Sequence, residues 1–182
     1  FPGTHCPLMG AAMIAGGIED CLLVIVGTDE CSYYTKSLTI SERYGGIGGR
    51  CVSVVLDSHD VTFGSTESMH KAFAEIMEEY QPKCVMLVTT CVIEVIGDDY
   101  DAIAVELTRK YQLPVMAVHT EHFKCEDHFS GFERALTACQ RIMQPQEGDS
   151  SVNVLGQRMG NFADTELHRL LATAGVKIGV QL

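Results

Sequence analysis

The stretch VMLVTTCVIEVIGDD, residues 85–99, starts as an unbroken apolar run of strand length, stops at a thiol, and resumes as an acid-led helical pattern. An apolar run without alternation implies burial on both faces, the condition of a parallel strand lying between helices. Similar runs recur along the chain: CLLVIVG (21–27), CVSVVLD (51–57), KCVMLVT (83–89), PVMAVH (114–119) and VNVLG (152–156). Helical patterns fall between them. PLMGAAMIAGG follows Cys6 and carries Pro7 at a first helical position, where its missing N–H costs nothing. STESMHKAFAEIMEEY has Ser65 or Thr66 as a cap and Met69, Phe73, Ile76 and Met77 on one face. DDYDAIAVELTRKYQ has Asp98 as its cap, Asp99 at the dipole's positive end, and Arg109 and Lys110 in the last turn. GFERALTACQRIM completes the set.

This alternation predicts an α/β fold, a Rossmann-like open parallel sheet with helices on both faces. QPQEGDSS, 144–151, has linker composition and sets a boundary between a first α/β domain, 1–147, and the start of a second at 148–182. A chain that opens on Phe1 and closes inside a strand-like run is expected to be a piece of a longer polypeptide. With 182 residues, 46% of them hydrophobic, it can bury a real core. Its formal charge of −11 argues against nucleic acid or an anionic membrane as partner, since both demand a basic surface. No apolar run approaches the roughly 20 residues of a membrane span, and no leader pattern precedes the first motif. A soluble, cytoplasmic protein is the expectation. YGGIGGR, 44–50, precedes a strand rather than joining strand to helix, so it reads as a mobile turn. The P-loop pattern is missing, which predicts that this chain does not itself hydrolyse ATP.

Eight cysteines in a chain with a full core need not be disulfide staples. Parallel topology sorts them. Cys21, Cys51 and Cys84 stand at strand beginnings and, with Cys139 on a helix, read as small buried hydrophobes. Cys31, Cys91 and Cys125 follow strand ends, in loops on the rim where open α/β sheets bind ligands. Cys6 precedes a helix, whose free amides stabilise a thiolate or an anionic cluster bound to thiolates. Iron in iron–sulfur clusters takes commonly four thiolates, and the rim set plus Cys6 supplies that count.

The motifs CPLMGAAMIAGGIEDCLLVIVGTDECSYYT, DVTFGSTES and LVTTCVIEVIGDD resemble the first domain of the nitrogenase component 1 family, over nearly the whole chain. That family includes the catalytic and cofactor-scaffold subunits of nitrogenase and dark-operative protochlorophyllide reductase. The resemblance implies that Cys6, Cys31 and Cys91 hold a subunit-bridging iron–sulfur cluster shared with a homologous or identical subunit. It also implies electrons delivered by a separate ATP-driven iron protein, and a substrate or cofactor pocket largely beyond Leu182. The family's His-Gly-Pro-x-Gly-Cys turn reads Val26-Gly27-Thr28-Asp29-Glu30-Cys31 here. Two carboxylates beside Cys31 oppose a thiolate, so a partner's cation compensates or the cluster differs in type.

VHTEHFKCEDHFSGFERAL, 118–136, places His119, His122, Cys125 and His128 at every third residue. Cys125 is the candidate fourth cluster ligand, since in the family the loop after this strand also approaches the cluster. Zinc held by Cys125 with His119, His122 and His128 is the rival, and solvated histidines the plain alternative. Glu94 is expected to order the loop under Cys91 by accepting backbone hydrogen bonds, and Tyr33 and Tyr34 to pack. Three functions follow: an electron-relaying reductase subunit, a non-enzymatic scaffold for metal-cluster assembly, or a zinc-binding or cluster-free α/β module.

Overall fold

The computed structural model describes residues 5–39, 50–124, 127–143, 148, 150–155 and 162–181. Four strands, β1 (Cys21–Gly27), β2 (Cys51–Val55), β3 (Cys84–Thr89) and β4 (Val115–His119), form one parallel sheet in the order β2-β1-β3-β4. Every residue of β1 and of β3 is buried, as continuous apolar runs demand. The open α/β sheet is therefore as the sequence predicts, with strand ends differing by one or two residues. YGGIGGR and most of the 144–151 linker lie outside the described residues.

The helices divide between two faces. On one face α1 (Pro7–Gly17), α2 (Asp29–Thr39) and α7 (His128–Ile142) cover a core of Leu8, Ile14, Leu23, Ile25, Met86 and Val88. On the other, α4 (Thr66–Tyr80) and α6 (Tyr100–Tyr111) bury Met69, Phe73, Ile76, Ile103 and Leu107 against Leu22, Val24, Val85 and Leu87. The chain winds outward from β1 through α2 to β2, then crosses back to β3 and on to β4. The winding direction thus reverses between β1 and β3. That is the crevice where ligands of open α/β sheets bind.

Three helices escape the sequence reading. α2 begins at Asp29, so Cys31 lies in a helix's first turn rather than in a loop. α5 (Cys91–Ile96) puts Cys91 at a helix's first residue, again not in a loop, ahead of the break at Gly97. α3 (Ser58–Phe63) is opened by a reciprocal cap, Asp57 accepting from the His59 and Asp60 amides while Asp60 accepts from the Asp57 amide. The GDD motif also works differently from expectation. Asp99, not Asp98, caps α6 by accepting from the Ala102 amide. Asp98 instead accepts from the Ser65 amide and hydroxyl, each at 2.6 Å, and the hydroxyl meets Tyr100 Oη at 2.7 Å in the buried core. Ser65 therefore makes no side-chain cap on α4; it ties the start of α4 to the start of α6. Burial, partly offset by Ser65, pushes the Tyr100 phenol up to about 12. β5 (Ser151–Val154) and β6 (Lys177–Gln181), with α8 (Glu166–Thr173) before β6, form a separate two-stranded parallel sheet.

α1 is apolar all round because it is wedged between the sheet and α7, with eight of its residues buried. Two glycines permit the wedge. A Cβ on Gly131 would overlap the Pro7 carbonyl, and one on Gly10 would overlap the His128 carbonyl. Gly131→Ala is expected to lower unfolding free energy by about 2 kcal/mol or more, since backbone must move to admit the methyl group. Gly148→Ala, which meets nothing within 4 Å, is the near-neutral comparison. Urea titration of both variants checks it.

Candidate functional site

The carboxyl end of the sheet is built from segments that leave the strands at one height. Val26 is the register partner of Thr89, and Thr89 of His119. Gly27 closes β1 so tightly against Thr90 that any Cβ would overlap the threonine side chain. The thiols that follow these ends are thereby brought to one rim. Cys31 sits one turn into α2 and Cys91 opens α5, both half-buried.

Cys6 completes the group from the other direction. Its backbone is extended and it opens α1, whose docking against α7 carries it to the rim. Burial raises its thiol pKa, the Leu8 and Met9 amides pull it down, and the nearby Cys31 and Cys91 raise it further, for a net rise. No amide caps the Cys6 side chain with a hydrogen bond, so the start of α1 favours a thiolate there only through the field of its free N–H groups. Cys31 and Cys91 lie close enough to Cys6 to raise its pKa, so three sulfurs 25 to 85 residues apart in sequence share one neighbourhood. They are not crowded into a single-ion cage. Among the described residues, the one group of three His, Cys, Asp or Glu donors within 4.8 Å of one another is Asp57, His59 and Asp60, the cap of α3. Sulfurs around one zinc would stand about 3.8 Å apart, given Zn–S bonds of about 2.3 Å in a tetrahedron.

The loop after β4 supplies what sequence reasoning missed. The His122 backbone N–H donates to Cys91 Sγ at 3.1 Å, while the His122 side chain is exposed. Side-chain chemistry gives no signal for a backbone donor. Cys125 lies outside the described residues. The three histidines do not assemble a zinc site. His119 Nδ1 meets Glu94 Oε1 at 2.6 Å and its Nε2 faces Asp101 at 3.3 Å. His128 opens α7 and packs its ring between Phe129 and His5. Three-residue spacing fails here because it runs over a strand end, a 3-10 turn (His122–Lys124) and a helix start, which point in different directions.

Glu94 differs from expectation as well. It accepts from Thr89 Oγ1 at 2.7 Å and binds His119, so it fastens α5 to the ends of β3 and β4 through side chains. Arg134 donates to the His119 carbonyl and to the buried Glu121 carboxylate, bracing the same loop from α7. These groups line a cleft of about 620 Å³ along the free edge of β4. Asp29 and Glu30 are exposed in the first turn of α2, and a backbone amide and the Thr28 hydroxyl hold Glu30 below the usual carboxylate range. Helix amides and water thus take up the charge that the sequence sets against a thiolate. Tyr34 donates to or accepts from His5 Nδ1 at 2.6 Å beside Cys6, and Tyr33 is exposed, so neither is simply core packing.

The comparisons with known proteins agree with this architecture. The family model described as nitrogenase component 1 type oxidoreductase matches residues 6–182. The nitrogenase iron-molybdenum cofactor biosynthesis protein NifE of Rippkaea orientalis is 27% identical, over 84% of this chain and 33% of that protein. The nitrogenase molybdenum-iron protein beta chain of Bradyrhizobium diazoefficiens is 31% identical, over 97% of this chain and 36% of that one. Light-independent protochlorophyllide reductase subunit N of Heliobacterium mobile is 25% identical over 74% of this chain. A solved structure, nitrogenase Cp1 at pH 5, superposes with a TM-score of 0.82 at 24% identity, over the whole of this chain and 40% of that one. The chain spans about a third of the length of the curated relatives it matches. No helix among the described residues is long and apolar enough to cross a membrane.

Burial opposes protonation of His119, but the Glu94 and Asp101 carboxylates outweigh it and hold its pKa above the ordinary value. A raised folded-state pKa stabilises the fold fully below the unfolded histidine value of about 6.5, and that contribution fades as pH rises through the folded value. The stability gap between the wild type and Glu94→Gln is therefore expected to be widest below about pH 6.5 and to narrow as pH rises through the folded-state value. Urea denaturation across that range reads it directly.

Proposed function

The chain belongs to the nitrogenase component 1 type oxidoreductase family, and from that premise we propose that Cys6, Cys31 and Cys91 hold this subunit's share of an iron–sulfur cluster at a subunit interface. The observation that carries the reading is the gathering of three thiols, each in the opening turn of a helix, at the winding reversal of a parallel sheet. Cys125 is proposed as a fourth ligand. When bound, the cluster would supply one-electron transfer. The chain's own part is to anchor sulfurs at helix starts, to direct the His122 N–H at Cys91, and to limit water by burying the thiols halfway. Amide donors to cluster sulfurs stabilise the reduced, more negative state and so raise the potential.

In the fuller protein, residues 1–147 form a cluster-binding domain and 148–182 open a second α/β domain. The proposal includes a homologous or identical subunit across the cluster, an ATP-driven iron protein as electron donor, and a cytoplasmic setting. A reducible substrate would be met between this domain and others. A second reading, a non-enzymatic scaffold for cofactor assembly, is favoured by the relatives named as NifE. Zinc held by Cys125 with His119, His122 and His128 is the alternative to iron, and the metal assay decides between them.

Full-length protein purified without oxygen is expected to carry iron and acid-labile sulfide together, and Cys91→Ala to lose most of both. Zinc alone in the wild type would overturn the cluster assignment. Turnover on adding an iron protein and ATP separates the reductase from the scaffold, which would instead release its cluster to an acceptor.

A further inference from the structure

At the far end of the sheet from the rim lies a second group of thiols that the proposed function leaves unused. Cys21 opens β1, Cys84 opens β3, and the two are register partners in the parallel ladder. Both belong to the face covered by α1 and α7, so their side chains project from the same side. Neighbouring strands lie about 4.8 Å apart. That is inside the roughly 4.4–6.8 Å Cα separation a disulfide accepts, so the sulfurs can join without moving the backbone far.

The pair is asymmetric. Cys21 is 1% exposed and Cys84, at the strand mouth, 9%. The Cys21 thiol's hydrogen bond lowers the Cys84 pKa, burial works against this, and the Arg50 charge assists. The same contact, together with burial, drives the Cys21 pKa far up. Cys84, the more exposed of the two, is the sulfur an oxidant meets first, and Cys21 lies behind it as the resolving partner. Cys139 on α7 packs in the same layer but is not a ladder partner of either.

We propose that Cys21 and Cys84 form a peroxide-responsive dithiol that closes to a disulfide linking β1 to β3. The Cys84 thiolate attacks one oxygen of hydrogen peroxide, the O–O bond breaks, and Cys84 becomes a sulfenic acid while hydroxide departs and takes a proton from solvent. The Cys21 sulfur then attacks the sulfenic sulfur. An S–S bond forms, the S–O bond breaks, and the departing hydroxide leaves as water with the Cys21 proton. Two thiols are oxidised and one peroxide is reduced to two waters. Cys84 is the more exposed of the pair, and hydrogen peroxide is the smallest oxidant that could reach it.

The test exposes the full-length protein to stoichiometric hydrogen peroxide, alkylates the remaining thiols and maps peptides without reduction. The expected product is a Cys21–Cys84 cross-linked peptide pair two hydrogens lighter than the free thiols. It should vanish in Cys84→Ala, persist in Cys139→Ala, and revert on adding dithiothreitol. Recovery of Cys21 and Cys84 both alkylated, a Cys84–Cys139 link, or Cys84 sulfinic acid beside a free Cys21 would each overturn it. Should Cys84→Ala not fold, the wild-type and Cys139→Ala maps decide the matter alone.

Discussion

Because β1 and β3 run side by side in the same direction, with Val26 level with Thr89, whatever follows each strand starts from the same height. Parallel pairing alone would place two segments there; the reversal of winding between these two strands also sends them to opposite faces and opens a crevice. α2 leaves by one side carrying Cys31, and α5 by the other carrying Cys91. The closeness of Gly27 to Thr90 shows how little room the crossing leaves. Loosening this ladder by one register step would flip each strand's buried residues to the wrong face, so the geometry is held by the whole core rather than by local bonds.

Cys6 depends on a different constraint. No strand precedes it, and its position follows from α1 lying flush against α7 at two glycines. That contact sets burial against helix amides at the sulfur, with burial ahead. A thiol held protonated would have to give up its proton to bind a metal, and any such loading would be coupled to pH. The Glu94–His119 and Glu121–Arg134 pairs brace the neighbouring loop, so the rim is stiff where it meets Cys91.

The sheet was legible in the sequence because buried parallel strands leave long apolar runs, and because the chain alternates them with amphipathic helices. Cys31 and Cys91 were legible for the same reason, as residues just beyond those runs. What stayed hidden were helices that start directly at strand ends or behind charged turns. α5 is six residues long and follows its strand with a single threonine between, so its pattern merges with the strand's apolar run. α2 opens with Asp29 and Glu30, which read as a charged turn although they are first-turn acids. α3 was available from Asp57 and Asp60, a reciprocal capping pattern. The histidine series by itself marks no common site, because a regular interval in sequence has meaning only within one regular element, and this one crosses three.

The hydrogen bond to Cys91 Sγ comes from main chain, not from an imidazole. Its donor is therefore common to nineteen of the twenty amino acids, and drift at position 122 can replace the side chain without erasing the contact. Proline, which has no such hydrogen, is the exception. Electronic control over that sulfur is thus inherited through the path of the loop, and a family could diversify the solvent-facing side of this segment while keeping the sulfur's surroundings unaltered.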